Sequence, residues 1–84
     1  MPQYYFHLRN DLDVPDPEGQ DLPDFERACA EAYRLTRDMV SASAVERGMI
    51  DLTHYIEVLS ENGESMLKVE FGEAVRITRD GNSI

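Results

Sequence analysis

The stretch His54-Tyr55-Ile56-Glu57-Val58-Leu59-Ser60-Glu61-Asn62-Gly63-Glu64-Ser65-Met66-Leu67-Lys68-Val69-Glu70-Phe71 decides the fold. Apolar and polar residues alternate on both sides of Asn62-Gly63, and a period of two is that of a half-buried strand. Asn-Gly is the preferred pair for a two-residue type I′ turn, because both residues tolerate positive φ. The stretch therefore predicts a hairpin with strands over 54–61 and 64–71. A two-residue loop sets Glu61 opposite Glu64. Counting outward, Val58 then faces Leu67, Ile56 faces Val69 and His54 faces Phe71, all on one apolar face. The other face carries Leu59 opposite Met66, Glu57 opposite Lys68 and Tyr55 opposite Glu70. An opposite-charge pair directly across the ladder is what a correct register favours.

Upstream of the hairpin the period changes. Phe25, Ala28, Cys29, Ala32, Leu35, Thr36, Met39 and Ser43 recur at the spacing of one helical face. A helix is expected from about Asp24 to Arg47, with Asp24 or Asp21 as N-cap, Pro23 beside the first turn and Gly48 as the stop. At 1.5 Å per residue it spans ~36 Å, so its last turns should project past the sheet it covers. Ahead of the helix, the aromatic-rich residues 3–9 read as a strand with Tyr4, Phe6 and Leu8 facing the core. A second, short strand is expected around Leu12 to Val14. Asp16-Pro17-Glu18-Gly19 has the residue order of a type I turn. After Phe71, Glu73-Ala74-Val75 is expected to make one helical turn. The order is β-β-α-β-β, an α+β fold in which a small antiparallel sheet has one long helix packed on one face. The spatial order 2-1-3-4 keeps every neighbouring pair antiparallel. Residues 1–75 are expected to form a single domain and 76–84 a flexible C-terminal tail.

Composition narrows the function. The chain has 84 residues, 42% of them apolar, and a net charge of −9 from 17 acidic and 8 basic side chains. Lys68 is its one lysine and there is no basic run. Phosphate contacts depend on clustered Lys and Arg, so neither nucleic acid nor an anionic membrane is expected as a partner. The acid is concentrated in Asp11, Asp13, Asp16, Glu18, Asp21 and Asp24. Cys29 is the single cysteine, so no intramolecular disulfide forms and an oxidising compartment is not required. No apolar run is long enough to span a membrane, and no secretory signal is read at the N-terminus. The cytoplasm is the expected location.

The opening Met1-Pro2-Gln3-Tyr4-Tyr5-Phe6-His7-Leu8-Arg9, the Asp16-Pro17-Glu18-Gly19 turn, the Asp21-Leu22-Pro23-Asp24 helix start and the alanine-rich helix together resemble a family of short bacterial proteins. That family is classed as a domain of unknown function, of the DUF6894 type. The resemblance covers roughly residues 1–75 and implies a bacterial origin and a compact free-standing domain. It carries over no catalytic residue, cofactor or partner. The segment Ser41 to Asp51 makes this chain longer than the pattern.

Four groups of residues carry the remaining chemistry. Asp11, Asp13, Asp16 and Glu18 are hard oxygen ligands close together, as calcium requires, but Pro15 stands where an EF-hand needs a third ligand. A solvated acidic turn is the expected state, and no metal site is assigned. His7 and His54 fall on opposite faces of the sheet by alternation, which separates them as metal ligands. Cys29 lies in the helix stripe, where a small apolar role is expected rather than that of a nucleophile. The fourth group is the outer sheet face: Tyr5, His7, Arg9, Tyr55, Glu57, Leu59 and Met66, with Lys68. A sheet covered by one helix should present a polar face to water, yet this one carries aromatic residues, Leu and Met, types enriched at interfaces. Phosphate-binding glycine loops, Cys-x-x-Cys and a nucleophile elbow do not occur in the sequence.

These observations point to a non-enzymatic interaction module without a cofactor. It is expected to self-associate, as a dimer, through the open sheet face or an edge strand. The alternative is a small-molecule or metal-binding protein using His7, Arg9 and Glu57. In a third reading the acidic loop meets a basic protein.

Overall fold

A computed structural model describes residues 2–10 and 13–78. Strand β1 (Gln3–Arg9) is followed by the short β2 (Gln20–Asp21), the helix α1 (Phe25–Arg47), the hairpin strands β3 (Tyr55–Leu59) and β4 (Ser65–Glu70), and a single helical turn α2 (Phe71–Ala74). The four strands form one antiparallel sheet in the order β2-β1-β3-β4, and α1 lies across one face.

α1 begins where Asp24, in extended backbone, accepts the Arg27 N–H at 2.9 Å. This bond satisfies one of the donors that every helix start leaves over. The helix ends at Gly48, whose φ of 67° places it in the left-handed region while its N–H bonds the Ala44 carbonyl. The residues buried along α1 are Ala28, Ala32, Thr36 and Val40. This four-residue row is narrower than the expected stripe. Phe25 is 38% exposed, Cys29 and Ser43 are only half-buried, and Val40 replaces them in the core. Alanines at 28 and 32 let the helix sit close to the sheet. Thr36 is fully buried because its hydroxyl donates to the Ala32 carbonyl at 2.6 Å. Beyond Val40 the helix leaves the sheet as expected, and Val45 is 82% exposed.

Tyr4, Phe6, Ile56, Val58 and Val69 meet the alanine row, and Phe71 closes one end with its ring edge-on to His54 at 5.7 Å. Each fully buried side chain of this size contributes roughly 1.5–3 kcal/mol.

The hairpin differs from expectation at its tip. Ser60 N–H bonds the Glu64 carbonyl, and Gly63 N–H bonds the Ser60 carbonyl. The loop is therefore the three residues Glu61, Asn62 and Gly63. Gly63 has a φ of 82° and Asn62 a negative φ, which rules out a type I′ turn with its two positive φ values. Glu64 faces Ser60 rather than Glu61. A bulge then restores the expected register: Leu59 pairs with Ser65 while Val58 still pairs with Leu67, so Met66 is the extra residue and not the partner of Leu59. From Val58 outward, Ile56–Val69, Glu57–Lys68 and Tyr55–Glu70 pair as read from the sequence.

The second strand is also displaced. Val14 makes only an isolated bridge to Leu8, and the strand beside β1 is Gln20–Asp21. Leu12 lies outside the described residues. In the Asp16–Gly19 turn, by contrast, Asp16 bonds back to the backbone as an aspartate at the first position of a turn does: its carboxylate accepts the Glu18 and Gly19 N–H groups. α2 starts at Phe71, two residues before the expected turn. Residues 76–78 are exposed and irregular, and the rest of the expected tail lies outside the described residues.

Candidate functional site

Alternation along β1 and β3 sends Tyr5, His7, Arg9, Tyr55, Glu57 and Leu59 to the face away from α1. Pairing brings them into three cross-strand rows: Tyr5 with Leu59, His7 with Glu57, and Arg9 with Tyr55. β4 adds Lys68 opposite Glu57 and Glu70 opposite Tyr55. The sequence-predicted face is thus assembled, and its two ends differ in character.

One end is an ion-paired network. Arg9 donates to the Glu57 carboxylate through Nε at 2.9 Å and Nη2 at 2.8 Å, and its Nη1 lies 3.6 Å from Asp13. The Ser65 hydroxyl first, and the Arg9 guanidinium next, hold the Glu57 carboxyl below the usual glutamate range. Glu57 in turn raises the Arg9 guanidinium above its ordinary value. Lys68 Nζ sits 4.4 Å from the centre of the Tyr55 ring, a cation–π contact. These charges are satisfied by one another. The other end is apolar, with Tyr5 opposite Leu59; Met66, 42% exposed at the bulge, is set apart from this pair and lies near Tyr4 and Ser60. His7 stands between the two ends, and its Nδ1 is buried without a hydrogen-bond partner.

Among the described residues the acidic loop does not bring a set of cation ligands together. The Asp16 carboxylate is turned onto the backbone, where it accepts the Phe6 N–H at 3.2 Å as well as the Glu18 and Gly19 N–H groups. Asp13 lies beside Arg9, Glu18 is exposed, and Asp11 is outside the described residues. Among the described residues no cluster of three His, Cys, Asp or Glu side chains is placed to hold a metal ion. His54 packs on Phe71 and approaches Asp51 at 3.3 Å, on the helix side of the sheet and away from His7. Cys29 is half-buried. No described helix is long and apolar enough to cross a membrane.

Two features escaped sequence reading. The first is that Asp16 covers the edge of β1. β1 directs the N–H and C=O groups of its even residues away from β3. Leu8 exchanges two 2.9 Å bonds with Val14, Phe6 N–H goes to Asp16, and Tyr4 pairs with Gln20. Just past the strand, the Pro2 carbonyl accepts the Leu22 N–H. The second is that Glu73 Oε1 accepts the Glu70 N–H at 3.0 Å, on the outer edge of β4. An acid three residues beyond a strand end was the available signal for it.

The fold and this face define a small α+β domain with a one-sided helix, one covered sheet edge and, among the described residues, no strand beyond β4. The family described as Domain of unknown function (DUF6894) matches residues 3–72, and the chain belongs to that family. Neither a curated protein nor a solved structure matches it.

Proposed function

We propose that this protein is a non-enzymatic interaction module that self-associates through the uncovered side of its sheet, with the cytoplasm as its compartment. The observation that carries the reading is the inequality of the two sheet edges. β1 is closed by a bridge, a side chain and a short strand. No strand lies beyond β4 among the described residues. An uncovered strand edge is a template for adding another strand. Near the same border Met66, at the bulge, is 42% exposed. Size-exclusion chromatography with light scattering, at low and moderate salt and over a range of concentrations, tests the reading. A dimer mass that persists at both salts supports it. A monomer mass up to high concentration overturns it.

A second reading rests on His7. A buried, unpartnered Nδ1 beside Glu57 offers one polar atom to a small molecule or metal on the His7, Arg9 and Glu57 face. Arg9 and Glu57 already satisfy each other, which leaves this reading behind the first. Thermal melts against metals and polar metabolites test it, because a ligand that prefers the folded state raises the midpoint.

A further inference from the structure

We infer that two copies join β4 to β4 antiparallel about a twofold axis at Val69, with Lys68 of each chain opposite Glu70 of the other. The inference rests on the self-association reading and adds the register and the device that controls it.

The backbone decides which groups are offered. Phe71 N–H donates inward to the His54 carbonyl, and Val69 pairs inward with Ile56. Alternation therefore turns the N–H and C=O groups of Lys68 and Glu70 outward. In a twofold pair the same patch must serve on both sides, so outward residues of one strand face outward residues of the other. Placing Lys68 opposite Lys68 brings two ammonium groups together at the centre. Sliding the contact toward Met66 moves it onto the bulge, where the ladder is broken. Placing Lys68 opposite Glu70 forms two opposite-charge pairs on the outer face. Val69, at the axis, is already buried within its own chain, so the charged pairs on the outer face carry the choice of register. Lysine thus blocks one register and selects the other.

Glu73 supplies the control. Its carboxylate occupies the Glu70 N–H, the donor that in this register bonds the Lys68 carbonyl of the second copy. Pairing requires that carboxylate to swing aside, and Lys68 of the second copy is the cation within reach of it. Glu73 is a competitive cap, so removing it strengthens the pair.

The test measures the dimer dissociation constant of four chains by concentration-dependent light scattering: the unaltered protein, Lys68→Glu, Lys68→Glu with Glu70→Lys, and Glu73→Ala. Lys68→Glu should weaken the dimer by about tenfold or more, because it sets like charges opposite each other twice. The double exchange should restore most of the loss, and Glu73→Ala should tighten the dimer. Amide exchange gives a second readout that does not depend on the variants. The Lys68 N–H should exchange quickly at low concentration and become protected as the dimer forms. A dimer that ignores Lys68→Glu and leaves the Lys68 amide unprotected, yet dissociates on Tyr5→Glu with Tyr55→Glu, overturns this register and keeps self-association through the face. A monomer at every concentration overturns both.

Discussion

Along β1, every outward backbone position of the strand has an occupant: Gln20 beside Tyr4, the Asp16 carboxylate beside Phe6, and Val14 beside Leu8. Along β4, among the described residues, the side chain of Glu73 covers one N–H, and Lys68 stands at the middle of an edge with no strand beyond it. Both edges use a carboxylate as a substitute for a neighbouring strand. The difference lies in what holds the carboxylate. Asp16 is fixed by three backbone N–H groups of its loop and β1, whereas the Glu73 carboxylate makes one exposed bond, to the Glu70 N–H, within a reciprocal capping box whose other half is the Glu70 side chain on the Glu73 N–H. An acid held by one bond is easily displaced, and an acid tied into a loop is part of the fold. The acidic stretch that dominates the net charge therefore includes a structural element in Asp16.

The comparison is broken most severely at Gly19. Its φ is 71°, and an added Cβ would lie 2.9 Å from both the Tyr4 carbonyl oxygen and the Tyr5 ring. Gly19→Ala should cost about 3 kcal/mol in a denaturant unfolding experiment, because left-handed strain and a clash with backbone act together. If it is neutral, the loop does not hold the β1 edge. Asp16→Ala comes next, at about 2 kcal/mol, because it leaves the Phe6 N–H without its partner. Faster amide exchange at Phe6 distinguishes loss of the edge cap from general loosening.

A pH titration of stability probes the ion-paired end of the face between the two edges. The Glu57 carboxyl is lowered in the folded state, so its contribution is present above its ordinary value of 4.5 and is lost as pH falls through the folded value. The melting temperature should therefore decline below about pH 4.5, and Glu57→Gln should flatten that part of the profile. A profile unchanged by Glu57→Gln would remove Ser65 and Arg9 as the cause. The smallest effect is expected at the uncovered edge. Lys68→Ala should change monomer stability by less than about 0.5 kcal/mol, since it removes only one exposed cation–π contact. A large loss there would mean that Lys68 serves the fold rather than a second copy.

Much of this architecture was legible in the residues. Alternation in Tyr4–Phe6–Leu8 and Ile56–Val58 placed both faces of the sheet, and Asp24 and Gly48 marked both ends of the helix, because caps are local chemistry. The outer face of Tyr5, His7, Arg9, Tyr55, Glu57 and Leu59 assembled as read, since a period of two and a correct pairing leave no other arrangement. The hairpin tip misled. Asn62-Gly63 suits a two-residue loop, but a three-residue loop with Gly63 left-handed, compensated by the Met66 bulge, preserves the same core register. The local signal could not separate the two, because both keep Val58 opposite Leu67.

By itself, the sequence determined the element order, the core face of each strand and the limits of the helix, all of which follow from periodicity and from residues acting on their near neighbours. Only the tertiary structure decided which strand borders β1 and that Asp16 closes its edge across ten residues of chain. Those are pairings between backbone groups and distant or out-of-register side chains. Their free energy depends on where the folded chain brings each unsatisfied N–H, and no spacing in the sequence encodes that.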